Sequence, residues 1–424
     1  MSEPAWFRRA GLVAATAMGV GWLVVLGRIL RHRIFVSSDT VSNYAHVWYV
    51  SRVLVDSHRI PYHMSIIGHG RGLAFPYAFI PWLSAALLRP LLGDWVVTLW
   101  LVIGSVGLVL ATFWAFPELR RGWPAALVLA NPVLIMALVL GQLPFMWAMA
   151  MLLGAVACWR NGRVGWAVVL AGLGQATHAA VVVPIAAALV VAWLAFEPNR
   201  RRLLLAYAAS LVIAAPAIVL VFLTPAFTDA ALGVKVANFV GTVAPRLLVV
   251  GIPVALVALR RVLRPWMLPV LLVILLGTSV ELAKLPDARH AWHDLSLSPE
   301  QRIVPYLEST AFRPDLEYRV LGTTDRRISM YQVIQHGGRL DSEFFPESLV
   351  RRTWPSAVEY CRFLRARAVD RVIVFYHYDI RLKKNEQKLL RLLSSSQRDA
   401  CRAVGVTVSH INHFHSFDVY AISG

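Results

Sequence analysis

Over the first two thirds of the chain, apolar residues fall in long runs that contain few charges. The runs are 11–30, 95–116, 123–140, 144–159, 164–177, 180–196, 203–224, 243–259 and 265–284. Uninterrupted apolar runs of this kind predict membrane-spanning helices, a full crossing needing roughly 20 residues. Several runs are shorter, so their boundaries are soft and short pairs are compatible with re-entrant segments. A further run, 74–92, carries Pro76, Pro81, Arg89 and Pro90. Prolines remove backbone donors and clash inside a helix, so this run is not expected to span.

After residue 284 the pattern changes. Alternating strand candidates at 318–322, 371–376, 406–411 and 417–422 are mixed with helix candidates at 356–367 and 385–393. Ser298-Pro299-Glu300-Gln301 reads as a capping box that opens a helix through Leu307. Strands alternating with helices predict a small α/β layer domain. The expected fold class is therefore a polytopic α-helical membrane protein of about nine spans with a C-terminal extracytoplasmic α/β domain. The expected domains are 1–284, with a large first outer loop at 31–94, and 285–424. The run Gly337 to Ser348 is the most distinctive loop of the second domain. Its Asp341 and Glu343 read as solvated turn residues more readily than as ligand-binding groups.

Composition supports the membrane class. The chain has 424 residues, 58% of them hydrophobic, and a mean hydropathy of +0.59. Soluble domains are about 45–50% apolar, so the excess calls for an apolar solvent. The charge is uneven: 22 of the 42 Lys and Arg but only 8 of the 24 acids lie before residue 285. The basic residues sit between apolar runs, as Arg8/Arg9, Arg120/Arg121, Arg160/Arg163, Arg200/Arg201/Arg202 and Arg260/Arg261/Arg264. That is the pattern of cytoplasmic loops rather than of a nucleic-acid surface. If 74–92 does not cross, all five clusters lie on the side of the N-terminus. The expected location is a plasma membrane, multi-pass, with the N-terminus cytoplasmic and the C-terminal domain outside. The first run is long for a signal-peptide core and reads as a retained anchor. Three cysteines show no metal-ligand spacing. Cys361 and Cys401 fall in the extracytoplasmic domain, where a disulfide is permitted.

Chemistry-bearing residues gather in the outer segments. A helix is expected from Thr40 to about Val55. At 100° per residue it places Asp39, Asn43 and His46 within about 60° of one another. Val41, Tyr44, Ala45, Trp48 and Val55 fall opposite, as in an amphipathic helix on a membrane surface. Asp39 has two compatible readings: a general base beside an apolar bundle, or the cap of the helix at Thr40. His63, His69 and Arg71 follow, with spacings that match no metal motif. Arg71, between glycines, is a candidate for a phosphate. Gln142, Gln175 and His178 lie at outer turns under the same topology, and convergence on one outer cavity competes with mutual hydrogen bonding. No Walker motif, GxGxxG or GxSxG is present, and no cofactor is expected.

The arrangement resembles the GT-C superfamily of membrane glycosyltransferases, which includes protein O-mannosyltransferases and bacterial lipid A aminoarabinose transferases. The resemblance rests on a first span followed by an outer loop with an early acid, Asp39, and an amphipathic helix. It continues with Phe75-Pro76-Tyr77-Ala78-Phe79-Ile80-Pro81-Trp82, the turns Gly141-Gln142 and Arg160-Asn161-Gly162-Arg163, and Gln175 to His178. Many members have an acidic pair where this chain has Asp39-Thr40. The resemblance implies a polyprenyl-phosphate-sugar donor, inverting transfer to an acceptor hydroxyl on the outer face, and Asp39 as the catalytic base. Arg71, with Arg28 or Arg31, would then meet the departing lipid phosphate. Asn43, His46, His63, His69, Gln142, Gln175 and His178 would complete the substrate site. The implied partners are the lipid-linked donor and membrane lipids. A transporter without catalysis and a lipid-linked-sugar-binding scaffold are the competing classes.

Overall fold

The computed structural model describes residues 4–32, 34–35, 37, 39–61, 63–68, 78–223, 241, 243–259, 262–284, 303–321, 324–342, 354–376, 384–414 and 416–424. The capping box at 298–301, His69, Arg71, Glu343 and residues 75–77 lie outside them. The chain divides into two units. One contains 1–43, 47–62 and 74–292; the other contains 44–46, 63–73 and 293–424. The outer loop 31–94, assigned whole to the helical domain from sequence, is thus divided between the units.

The first unit is helical. Its elements are α1 Ala5–Leu30, α2 Thr40–Ser57, α3 Phe79–Leu92, α4 Trp95–Ala115, α5 Gly122–Leu129 and α6 Pro132–Val139. There follow α7 Leu143–Arg160, α8 Val164–Thr177, α9 Ala179–Leu194, α10 Arg200–Leu223, α11 Leu248–Leu259 and α12 Met267–Ala283. Among the described residues, five segments are long and apolar enough to cross a membrane: α1, α4, the α5–α6 pair, α7 and the first twenty residues of α10. The α5–α6 pair is one apolar stretch broken at Asn131. Pro132 cannot donate there, and the Asn131 side chain accepts from the Val133 amide at 3.0 Å. Many apolar side chains on these helices are exposed, Val13, Leu23 and Val212 among them. That is the surface expected of helices that face lipid.

Indole hydrogen bonds and ion pairs define two ends of the helical unit. At one end Trp123 donates to the Phe7 carbonyl at 3.1 Å and Trp159 to Glu197 at 3.0 Å, and Arg160 pairs with Glu118. These contacts join the starts or ends of α1, α5, α7 and the α9–α10 turn, the regions of the arginine clusters. At the other end Trp95 donates to the Leu30 carbonyl at 3.0 Å, and the Ala78 amide donates to the Thr177 carbonyl at 3.0 Å. The first bond ties the start of α4 to the end of α1, and the second ties the start of α3 to the end of α8. Helix α3 is 14 residues long and carries Pro90.

The second unit is an α/β domain. Its elements are α13 Val304–Leu307, β1 Glu317–Leu321, α14 Thr324–Gln335, β2 Arg339–Leu340, α15 Ala357–Ala366, β3 Arg371–Phe375, α16 Lys384–Ser394, β4 Thr407–His413 and β5 Phe417–Ser423. The strand order is β2-β1-β3-β5-β4. β1 runs parallel to β2 and β3, and β5 runs antiparallel to β3 and β4. Ile67 extends the edge by bridging in parallel to Leu340. Tyr360, Cys361, Leu364, Val372, Val374 and Leu390 form the core. Cys361 and Cys401 are joined in a disulfide, with Cα atoms 5.9 Å apart. Arg319, on β1, is fully buried and pairs with Asp341 at 2.7 Å and Glu386 at 2.6 Å. Asp341 is 1% exposed. It is not the solvated turn residue its loop composition suggested but a partner to a buried cation, which would otherwise be costly.

Candidate functional site

The site end of the helical unit is built by short backbone contacts between segments remote in sequence. The Asp39 amide donates to the Leu140 carbonyl at 2.9 Å. Asn43, 2% exposed, uses its whole amide: Nδ2 donates to the Asp39 carbonyl at 3.0 Å and to the Gly141 carbonyl at 3.1 Å. Its Oδ1 accepts from Trp82 Nε1 at 2.9 Å. One buried side chain therefore fastens α2 to the 140–142 turn and to α3. Gly141 makes that approach possible. Its φ is +71°, and a Cβ there would lie 2.1 Å from Thr40 Cγ2 and 2.6 Å from Ser37 Oγ.

Asp39 stands at the N-cap of α2, with φ −105° and ψ −15°, and its side chain makes no capping hydrogen bond. The capping reading of Asp39 is therefore not realised, and α2 takes its register from the Asp39 and Asn43 backbone contacts. Gln142 is the N-cap of α7 and His178 that of α9, and neither side chain caps its helix. Phe145, in the first turn of α7, stacks edge-on with the His178 ring at 6.3 Å. Arg246 lies over the Phe145 ring, its guanidinium carbon 5.4 Å from the centroid. The starts of α2, α3, α7 and α9 meet here, and each contributes the positive end of a helix dipole, about half a charge apiece.

The residues expected from sequence fall into three groups. Asp39, Asn43, Gln142 and His178 belong to the contacts just described. Gln175 does not join them: its Nε2 donates to Ser210 Oγ at 2.8 Å, fastening α8 to α10. His46 is 6% exposed on α2, and His63 is exposed. α2 is not the surface-lying amphipathic helix its pattern suggested. Val41, Tyr44, Ala45 and Val47 are buried, and so are Asn43, His46 and Ser51 on the other side.

No family model matches this chain, and no curated protein or solved structure does. Arg246 is the group that sequence reasoning missed. It is a single arginine in an apolar run with no motif around it, and its only signal was a lone charge near the start of a predicted span. Among the described residues no cluster of His, Cys, Asp or Glu is arranged to hold a metal ion. Two apolar cavities lie elsewhere in the unit. One, about 90 Å³, is lined by α7–α10, and the other, about 510 Å³, runs between α4, α7 and α8 past Trp147, Gly104, Gly107 and Trp114. The second has the apolar lining that suits a hydrocarbon chain.

Proposed function

We propose that this protein is an integral membrane glycosyltransferase that moves a sugar from a polyprenyl-phosphate donor to an acceptor hydroxyl on the outer face of the plasma membrane. In this reading nine segments cross the bilayer. The arginine-rich end of the helical unit is cytoplasmic, and the Asp39 end and the α/β domain are outside. The disulfide of that domain suits an oxidising compartment.

Asp39 takes the proton of the acceptor hydroxyl. The acceptor oxygen bonds to the anomeric carbon as the bond from that carbon to the phosphate oxygen breaks, and the lipid phosphate leaves with the electron pair. Attack from the face opposite the phosphate inverts the centre. The amide-bearing helix starts favour the leaving phosphate monoester, which carries more negative charge than the phosphodiester donor, and so stabilise the charge that develops in the transition state.

The observation that carries this reading is the position of Asp39. It is a carboxylate not spent on capping its helix, fixed by its own amide to the Leu140 carbonyl and beside the 140–142 turn. A transporter would call for ionisable groups along the middle of the bundle. Here Gln175 Nε2 donates to Ser210 Oγ, and the polar residues gather at one end. The test is product analysis: purified protein in nanodiscs is given a polyprenyl-phosphate sugar and a mixture of hydroxyl acceptors. The reading expects polyprenyl phosphate and a labelled acceptor in equal amounts. Movement of intact donor across a vesicle membrane, with no polyprenyl phosphate formed, would contradict it.

A further inference from the structure

The smaller apolar cavity, lined by α7–α10, occupies one half of the helical unit. It runs from Trp159, Trp193 and Leu203, near the arginine clusters, to Ala171 and Ala186, midway along their helices. Beyond that depth the helices close up. Glycines allow it: a Cβ at Gly172 of α8 would lie 2.6 Å from Ile213 Cβ of α10, and one at Gly174 would lie 2.8 Å from the Ala148 carbonyl oxygen of α7. In the half nearer the arginines, indoles and not glycines stand between the helices. The polar atoms of the lining are largely spent. Ser210 Oγ accepts from Gln175 at 2.8 Å and donates to the Tyr207 carbonyl at 2.7 Å, and Trp159 donates to Glu197 at 3.0 Å. A trapped water needs two to four polar partners, so this lining suits a hydrocarbon chain instead. The charges at the same end are unbalanced. Residues 143–223 hold five arginines and one acid, Glu197. Arg160 pairs with Glu118, whereas Arg163, Arg200, Arg201 and Arg202 are exposed. The last three open α10, where the helix dipole disfavours cations. An anion placed among them would relieve both the dipole and their mutual repulsion.

We propose that α7–α10 bind one anionic phospholipid from the leaflet at the arginine end, which is the cytoplasmic leaflet in the topology given above. One acyl chain enters the cavity past Trp159 and Trp193, and the phosphate lies among Arg163, Arg200, Arg201 and Arg202. Tryptophan suits the headgroup level of a bilayer, and basic pockets between membrane helices suit anionic headgroups. The site lies at the end of the helical unit away from Asp39 and uses none of the residues assigned to transfer, so it stands or falls without the transfer reading.

The experiment titrates the full chain in detergent with phosphatidylglycerol and with phosphatidylcholine of the same acyl chains, and reads the lipid adducts by native mass spectrometry. The wild type should bind one phosphatidylglycerol at least about tenfold more tightly than phosphatidylcholine, equivalent to about 1.4 kcal/mol. Ala171→Phe, which puts a ring into the cavity, should weaken phosphatidylglycerol binding by at least about tenfold. Replacing Arg200, Arg201 and Arg202 together by Gln should remove the preference for the anionic lipid. Ala209→Phe, at an exposed position of α10, should bind like wild type. If Ala171→Phe does not fold, Ala206→Leu, a smaller filling of the same cavity, decides the matter and is expected to bind more weakly than wild type. If the triple variant does not fold, Arg163→Gln with Arg200→Gln takes its place and should narrow the preference. Equal affinity for the two lipids in the wild type overturns the proposal. So does wild-type binding in the folded cavity-filling variants, or an undiminished preference in the folded arginine variants. Soluble glycerol phosphate should not displace the lipid; displacement would mean a site for a free phosphate ester and would overturn the proposal as well.

Discussion

Single residues in the α/β unit show how burial sets charge. Glu317, 7% exposed at the start of β1, has its carboxyl pushed up to about 7, first by burial and then by the neighbouring Asp341 charge. A carboxyl with a raised pKa favours folding in its protonated form. Its contribution is full below the ordinary value of 4.5 and is lost as pH rises through about 7. Hydrogen exchange of the β1 amides in the full chain, corrected for intrinsic rates, should therefore reveal easier opening at pH 8 than at pH 5. Glu317→Gln should remove that difference and protect β1 at pH 8 by on the order of 1 kcal/mol. A pH dependence unchanged by the substitution would mean that another group drives it. Asp418 goes the other way. Burial opposes its charge, but hydrogen bonds from His413, Tyr376 and His410 outweigh that and hold its pKa below the ordinary value. None of these burials is legible in the sequence, where Asp341 and Glu317 look like ordinary surface acids. What buries them is the parallel pairing of β1 with β2 and β3, a contact between segments far apart in the chain.

At the scale of elements, the long runs were readable because an apolar helix declares itself by composition alone. The expected 164–177 matches α8, and 95–116 matches α4 within a residue at its C-terminus. The run 74–92 contains α3, a helix of 14 residues, shorter than the roughly 20 of a full crossing. Two elements were not foreseen. β2 is two residues long, too short for any alternation to register. α14 reads TDRRISMYQVIQ, whose polar first half hides the helical spacing of Ile328, Tyr331 and Ile334. The bulge between His410 and Asn412 was equally invisible, yet it sets His413 opposite Asp418. The turn at 140–142 gives an element-scale test. Gly141→Ala meets both a positive φ and a Cβ contact of 2.1 Å with Thr40. Expected costs are about 1–2 kcal/mol for the backbone and about 1–3 kcal/mol for overpacking. The thermal midpoint in detergent should drop and transfer should fall with it. An alanine variant with the stability and activity of the parent would show that α2 does not need this close approach.

For the whole molecule, the proposed topology puts the arginine-rich end of the helical unit in the cytoplasm and the disulfide-bearing domain outside. Reporter fusions at Pro198 and after Gly424 should report opposite sides of the membrane. The same side for both would remove the nine-span topology and with it the outward placement of Asp39. The claim at the centre of the account is that Asp39 acts as a base and not as a cap, and replacing it with Asn separates the two. Asn caps helices as well as Asp does, so Asp39→Asn should fold and express normally. It cannot take a proton as a carboxylate does, so transfer from a polyprenyl-phosphate sugar should drop by roughly 10²–10⁴-fold. The most direct measurement is the release of polyprenyl phosphate by wild type and Asp39→Asn side by side in nanodiscs. The account predicts release by the first and almost none by the second, at equal thermal stability; equal release by both would contradict it.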